Sequence, residues 1–456
     1  MARGAKKEKA LTPEEKLAQA LVPEAEQPYR VPENWRWVQL DRLYTINPPV
    51  EGDDEKDASF VPMEKISAGM SSDFTYDIQP WKQAKKGHTR FADGDVAFAK
   101  ISPCFENGKA FIASNLVNGI GGGTTELIIL RHPIVSQKYT YYMVMSDRFV
   151  NGGVQTYSGT VGQQRISMDY VRNYPVPLPP LPEQQRIVDR IESLFAKLDE
   201  AKEKAQAVVD GFEDRKAAIL HKAFTGELTA KWRELNGYSM AQWESALLKD
   251  CSYLIGDGLH GTPVFDKYGQ YYFVNGNNFS DTRIEIKPDT KTVALGEYEK
   301  YKLALFPDST VFVSINGTLG KTAFYNGEPV ILGKSACYVN VNERLNKFFL
   351  RYFFTSKEFI DYANSMATGS TIKNLGLKAM RNLILNLPSV SEQVEIVQIL
   401  DRIMDAEQQA KSAAEQAISQ IDTMKKAILA RAFRGELGTN DPAEESAEGL
   451  LKSVLQ

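Results

Sequence analysis

The stretch AILHKAFTGEL at Ala218–Leu228 returns almost unchanged as AILARAFRGEL at Ala427–Leu437, 209 positions later. A chain that repeats itself at such a distance builds one supersecondary unit twice, and this constrains the fold before any local propensity does. Shifted by that interval, Arg172–Leu228 lies on Arg381–Leu437 without a gap, with about a third of the positions identical. Leu178-Pro179 meets Leu387-Pro388, Glu183-Gln184 meets Glu392-Gln393, and Ile187-Val188 meets Ile396-Val397.

The repeated segment has a helical period. Ile187, Ile191, Leu194, Leu198, Ala201, Ala205, Val208 and Phe212 recur at alternating spacings of four and three, the pattern of a helix-helix seam. The second copy places Ile396, Leu400, Ile403, Ala410, Ala414, Ala417, Ile421, Met424 and Ile428 on the same pattern, with Glu407 as its one interruption. Pro182 just before Glu183 marks the first start, and Ser391 is the expected cap of the second. Gly226 and Gly435 follow the last periodic residues, where a left-handed C′ residue is needed. Each helix is thus expected to run about 40 residues, roughly 60 Å at the helical rise. A seam this narrow needs a partner helix, and the two copies can cover each other.

Before each helix lies a segment of different texture. Short β-type runs, VAFAKI (Val96–Ile101), ELIIL (Glu126–Leu130), TVFVSI (Thr310–Ile315) and ACYVNV (Ala336–Val341), are broken by Gly, Asn, Asp and Pro. Helical stretches follow at Tyr139–Val150 and Lys347–Tyr362. Each segment reads as a compact α/β domain. The two segments echo each other only loosely: DGDVAFAKISPCFENGKAF (Asp93–Phe111) with PDSTVFVSINGTLGKTAF (Pro307–Phe324), and YSGTVGQQRI (Tyr157–Ile166) with ATGSTIKNL (Ala367–Leu375). The helices resemble each other more than the domains do, which suggests a shared scaffold with different targets.

A net charge of −4 and a pI near 5.8 tell against a lone, salt-driven nucleic-acid binder. They leave room for a DNA reader whose basic groove is completed by other subunits. No apolar run nears the roughly 20 residues that span a bilayer. The start, MARGAKKEKALTPEEK, lacks an apolar signal region, so a cytoplasmic location is expected. Cys104, Cys251 and Cys337 have neither disulfide nor zinc spacing and are expected to be buried, reduced thiols.

The paired LPxxxEQxxIV starts, the AFxGEL exits, TAKW (Thr229–Trp232) and the GDVAFAKISPCFENGK and GTVGQQRI segments together resemble the DNA-specificity subunits of type I restriction–modification enzymes. The resemblance covers nearly the whole chain. It implies a mixed α/β (α+β) fold with two target-recognition domains separated by an antiparallel coiled coil of two long helices, related by a pseudo-twofold internal repeat. It implies a charged lead (1–30), recognition domains at 31–175 and 238–385, long-helix regions at 176–237 and 386–437, and an acidic tail (438–456). It further implies a non-catalytic subunit that reads a bipartite, asymmetric sequence in double-stranded DNA. Two methylation subunits binding S-adenosylmethionine would dock on the helices, and restriction subunits would bring ATP and Mg. This chain itself would bind no cofactor.

The candidate DNA-binding residues are the polar loop residues. In the first domain they are Lys100, Ser102, Asn107, Lys109, Thr124, Thr125, Gln163, Gln164 and Arg165. In the second they are His260, Thr262, Asn275, Asn277, Asn278, Asn316, Thr318, Lys321, Lys334, Thr371 and Lys373. Asn and Gln bridge adenine, while Lys and Arg reach guanine or phosphate. Tight turns need the same residue types, so each has a structural alternative. Tyr76, Trp81, Tyr271 and Tyr272 read first as core residues, with base stacking as the alternative.

Other chemistries find little footing. INPPV (Ile46–Val50) evokes the base-gripping loop of adenine methyltransferases, but Val50 stands where an aromatic must stack. GIGGGTTE (Gly119–Glu126) leads into a strand rather than a helix, and no GxxxxGK[ST] phosphate loop is present. His88, His132, His221 and His260 form no metal-spaced pair. The main rival is a coiled-coil scaffold carrying two domains for ligands other than DNA.

Overall fold

A computed structural model of the chain describes residues 12–132, 134–369 and 372–455. It divides into two compact units, one built from the chain up to Lys204 together with the segment from Ala417 onward, the other from Ala205–Gln416. Each unit draws on both long helices. The first helix runs Leu181–Asp210 and continues as Phe212–Phe224, and the second runs unbroken through the 43 residues Val390–Ala432. The expected single first helix therefore has a hitch at Gly211. Arg215 spans it, donating from one guanidinium nitrogen to the Val208 carbonyl (2.9 Å) and from another to Glu407 (2.8 Å). A Cβ at Gly211 would sit 2.6 Å from that guanidinium. Glu407, the interruption in the apolar pattern, is thus the partner of Arg215.

The helices pair antiparallel within each unit. In the first unit Asp199 meets Lys425 and Lys202 meets Asp422; in the second, Arg215 meets Glu407. The start of one helix packs with the end of the other: Ile187, Ile191 and Phe195 share a core with Leu429, Ala432 and Phe433, while Leu220, Ala223 and Phe224 share one with Ile396, Val397 and Leu400. The seam is less regular than its spacing predicts. Ala201, Ala410, Ala417 and Met424 are exposed, and Leu194, Leu198, Ala205, Val208, Ile403 and Ile428 are only half-buried. Only Phe212, Ala414 and Ile421 of the more central predicted positions are buried. A straight helix drifts against a strict seven-residue repeat. Toward the ends the helices also pack on the domain of their unit, which recruits Val188, Phe195 and Leu429, off the predicted line.

The helix starts explain the conserved Glu-Gln pair of the repeat. Glu183 is buried and accepts hydrogen bonds from Trp35 Nε1 (2.7 Å), Asn440 Nδ2 (2.8 Å) and Thr439 Oγ1 (3.3 Å). Glu392 is buried and accepts from Trp243 Nε1 (3.0 Å), Thr229 Oγ1 (2.7 Å) and the Arg233 guanidinium. Thr229 and Thr439 each lie just past an AFxGEL exit. The exit of each helix therefore caps the start of the other, which requires both motifs to occur twice. Gly226 (φ +82°) and Gly435 (φ +74°) supply the left-handed exit turn. Gln184 donates to the Pro179 carbonyl and accepts from Ser136 N–H; Gln393 donates to the Pro388 carbonyl and accepts from Asn346 N–H. Each glutamine thus ties the Leu-Pro turn to the first turn of a domain helix. The second long helix is capped by Ser389, whose hydroxyl accepts from Glu392 N–H, and not by Ser391.

Each domain has a main antiparallel four-stranded sheet of the same strand order. In the first unit the order is Thr45–Ile46, Leu127–Arg131, Val96–Ala99, Ala110–Ile112; in the second, Ser252–Asp257, Ala336–Val341, Thr310–Ser314, Thr322–Phe324. The central pairs are registered Ala97 with Ile129 and Phe312 with Tyr338. Each expected domain helix is two helices, Gln137–Val144 then Asp147–Val154, and Lys347–Phe354 then Lys357–Met366. Ser146 and Ser356 break them by capping the second member. The smaller sheets differ: four strands with Asp57–Val61 parallel to Ile120–Gly123 in the first unit, three with Tyr271–Val274 parallel to Val330–Leu332 in the second.

The two ends of the described chain meet in the first unit. Helix Pro13–Ala20, begun by Thr12 in a reciprocal capping box with Glu15, packs on helix Ala447–Leu455. Leu17, Ala20, Ala447 and Leu451 join that unit's core.

Candidate nucleic-acid interface

The candidate polar residues gather at one end of each main sheet, where three turns meet. In the first unit the turn after Val96–Ala99 carries Lys100, Ser102, Asn107 and Lys109, and Lys100 N–H donates to the Glu126 carbonyl beside Thr124 and Thr125. The hairpin Ser158–Arg165 docks on the same turn through Ser102 N–H to the Gln164 carbonyl (2.8 Å) and Ile166 N–H to the Lys100 carbonyl (3.0 Å). In the second unit the hairpin Thr368–Asn374 docks equivalently, through Gly317 N–H to the Lys373 carbonyl (2.9 Å) and Leu375 N–H to the Ile315 carbonyl (2.8 Å). It brings Lys373 to Asn316, and the turn holding Thr318 and Lys321 follows directly. Ser335, next to Lys334, accepts from Gly276 N–H, which joins the Asn275–Asn278 turn to the same end. His260 lies beyond Leu259, whose N–H donates to the Leu332 carbonyl. The pairs of loose sequence echoes are therefore structural equivalents.

Not every candidate presents a free polar group. Asn278 is buried and engaged with Asn275 N–H, the Glu285 carbonyl and Thr290. Asn275 caps its own turn through Asn277 N–H. Lys109 donates to the Met63 carbonyl (2.7 Å). Arg165 forms a two-pronged ion pair with Glu126 (2.7 and 2.9 Å), which holds that carboxyl below its usual range. Burial works to raise the Glu106 carboxyl, but hydrogen bonds from Tyr157 and Ser102 outweigh it and lower it. His260 pairs with Asp257 at 2.6 Å. Asn107, Thr125, Gln163, Thr262, Asn277, Thr318, Lys321, Lys334 and Lys373 are exposed, and Thr371 lies outside the described residues. The sequence reading missed Glu126, whose carboxylate holds Arg165.

The aromatic candidates divide. Trp81 is fully buried with Val50, Ala58 and Ala84, so the INPPV stretch ends in a core residue; Asn47 (φ +50°) accepts from Ile129 N–H. Tyr272 packs on a core, Tyr271 stacks on Tyr298, and the Tyr76 hydroxyl donates to the Asn115 carbonyl. Gly121–Gly123 sit inside a strand, where a Cβ at Gly122 would fall 2.0 Å from the Ala84 carbonyl oxygen. Their role is close packing. Cys251 and Cys337 are buried free thiols, while Cys104 is half-exposed, against expectation, because its turn lies on the open end of the sheet. Among the described residues no helix is long and apolar enough to cross a membrane. Among them, too, no group of three or more His, Cys, Asp or Glu is placed to hold a metal ion.

The family model for the type I restriction modification DNA specificity domain matches residues 32–209 and again 242–418. The chain belongs to this family. Both matches run from an α/β domain into the long helix that follows it, so the family unit is the repeat unit. Among curated relatives, the chain is 40% identical over 202 residues to the type I restriction enzyme EcoAI specificity subunit of Escherichia coli; the match covers 44% of this chain and 34% of that one. The match to the EcoEI specificity subunit covers 38% of that relative's length, so both relatives are spanned only in part. The EcoBI specificity subunit of Escherichia coli matches at 20% identity over 86% of this chain and 91% of its own. The crystal structure of the HsdS subunit from Thermoanaerobacter tengcongensis superposes with a TM-score of 0.65 at 20% identity, covering 90% of this chain and all of that one. That likeness shows the fold. Family membership leaves the rival scaffold reading unsupported.

Proposed function

We propose that this chain is a non-catalytic specificity subunit of a type I restriction–modification complex, reading a bipartite, asymmetric sequence in double-stranded DNA with one half-site per unit. The observation that carries this is the family unit occurring twice, each copy carrying a polar loop face of its own composition. The first face offers Gln163, Gln164, Asn107, Thr125 and Lys100; the second offers Asn277, Asn316, Thr318, Lys321, Lys334 and Lys373. Amides and amines of these kinds read base edges and phosphates. Arg165, Asn275 and Asn278 instead shape the loops. The paired helices are the surface for two methylation subunits, which bind S-adenosylmethionine; restriction subunits bring ATP and Mg. A chain of net charge −4 needs such partners to complete a basic groove around phosphate.

The test is selection from a random duplex library by the chain with its methylation subunits. Recovery of a two-part motif is expected, and recovery of none defeats the reading. Exchanging residues 31–175 for another recognition domain should alter one half of the motif and leave the other intact.

A further inference from the structure

The two units carry the same pocket, and the chain fills one of them. In each unit it lies where a long-helix exit, the start of the second domain helix and the strand before the Leu-Pro turn come together. In the first unit its walls include Met143, Arg148, Tyr174 and Phe433. The helix repeat sets Phe224 on Phe433 and Leu383 on Tyr174, and the matching caps Ser146 and Ser356 set Phe353 on Met143 and Glu358 on Arg148. Those four second-unit residues line a pocket of their own. In the first unit Tyr29 is the occupant. Its hydroxyl donates to the Phe433 carbonyl (3.0 Å), and the guanidinium groups of Arg148 and Arg434 lie over its ring, 5.8 and 5.5 Å from the centroid. About 60 Å³ is left empty there. The strand that follows Tyr29, Arg36–Gln39, is matched in the second unit by Glu244–Leu247, each paired with the strand before a long helix. At the same distance before Glu244 stands Gly237, which has no side chain to offer. The second pocket is therefore open, at about 180 Å³.

That volume falls below the roughly 300–1,000 Å³ of small-molecule sites and suits a single side chain. The walls say which one. The first pocket sets cations around an aromatic occupant; the second has aromatic walls and a carboxylate. Phe353 stands for Met143, Tyr362 joins the lining, and Glu358 stands for Arg148. Oε1 of Glu358 pairs with His221 Nδ1 (2.6 Å), while Oε2 is buried with no hydrogen-bond partner among the described residues. The terminal torsion of a glutamate is soft, so the carboxylate can turn that oxygen toward an incoming donor. A carboxylate short of a donor beside aromatic rings is the complement of a guanidinium, whose flat face stacks on the rings while its N–H groups pair with the acid. A phosphate would be repelled, and a lysine lacks the flat face.

We propose that the second-unit pocket receives an arginine side chain of a methylation subunit, paired with Glu358 and stacked on the aromatic walls. This deepens the function proposed above and rests on it. Phe224, in the pocket wall, is the last residue of helix Phe212–Phe224 and so belongs to the helix surface on which that function docks the methylation subunits.

The experiment titrates the full chain with its methylation subunits and reads the complexes by native mass spectrometry. The wild-type chain should take up two. E358Q should bind one of them roughly tenfold to hundredfold more weakly, the worth of a hydrogen bond to a charged group, and the other as before. E358R, which gives the second pocket the residue of the first, should lose that subunit altogether. Reversing the partner's arginine to glutamate should bring it back. I384K, at a 58% exposed position in the pocket lining, should weaken the same subunit and keeps the test decisive if E358Q unfolds early. The proposal is overturned if E358R and I384K both take up two methylation subunits with wild-type affinity. It is equally overturned if they lose only a restriction subunit or self-association of the chain, which would give the pocket to another occupant. A wild-type chain that takes up no methylation subunit would take down the function proposed above as well, and that result is distinguishable because it needs no variant.

Discussion

The two helix starts solve one problem with different chemistry. Each buries a glutamate against an indole N–H and the exit of the opposite helix. In the second unit the carboxylate of Glu392 meets a buried guanidinium, Arg233, which also donates to the Gly226 carbonyl. In the first unit, hydrogen-bond donors to Glu183 come from an indole, an amide and a hydroxyl, two of them from beyond the repeat. The difference teaches that a duplicated motif preserves the buried acceptor and the geometry, while the donors are free to diverge. It also makes the first unit depend on the far end of the chain. Asn34 accepts from Asn440 and Ala447 N–H and donates to the Asp441 carbonyl, Arg36 pairs with Glu448, and Arg186 pairs with Glu444.

The contrast can be broken experimentally. The largest effect should come from deleting residues 438–456. This removes two donors to Glu183 and the packing of Ala447 and Leu451, and should destabilise the first unit by about 5 kcal/mol. Peptide-resolved hydrogen exchange should show the loss there and leave the second unit protected; equal loss in both would end the asymmetry.

Next, R233M strands a buried carboxylate and E392Q strands a buried guanidinium. Each should cost about 3–5 kcal/mol in the second unit. E183Q removes a charge that has only neutral donors, and should cost about 1–2 kcal/mol in the first. Similar costs for E183Q and E392Q in chemical denaturation would mean that the charged partner contributes nothing special. W35F and W243F each delete one donor to a buried carboxylate. The same measurement should give about 1.5–3 kcal/mol for both.

The smallest effect is a pH dependence confined to the first unit. His132 Nδ1 accepts from Ile134 N–H (2.9 Å) and Val135 N–H (2.7 Å), and burial pushes its imidazole down to about 4. The folded state thus resists a proton that the unfolded chain takes up near the ordinary value of 6.5. Stability from this site is full above 6.5 and is lost as pH falls toward 4, about 1 kcal/mol between pH 7 and 5 after solvent screening of this half-buried ring. The second unit has Asn342 at the equivalent turn, its Oδ1 accepting from Arg344 N–H (3.1 Å). H132N should therefore keep the turn and flatten the pH profile of the first unit's melting. A slope that survives would assign the titration elsewhere.

Much of the architecture was legible because it repeats. The two long helices, the strands Val96–Ala99 and Ala336–Val341 and the Gly226 and Gly435 exits all follow from spacing and local chemistry. The boundaries were less legible where side chains compete for the backbone: Ser146 and Ser356 cut helices that looked continuous, and Ser389 took the cap expected of Ser391. The candidate interface divides in the same way. Loop composition pointed to turns that gather at one end of each main sheet, but not to which residues there are free. Asn278 and Arg165 have the chemistry of base readers, and only their partners Glu285, Thr290 and Glu126 show them engaged.

By itself the sequence determined that two long helices and two α/β domains alternate, because helical period and strand pattern depend on neighbours a few residues away. The tertiary structure alone decided what Glu183 and Glu392 are for and how Glu407 fits a helix seam. Each of these depends on groups brought together from distant parts of the chain, and a buried charge has no meaning until its surroundings are assembled.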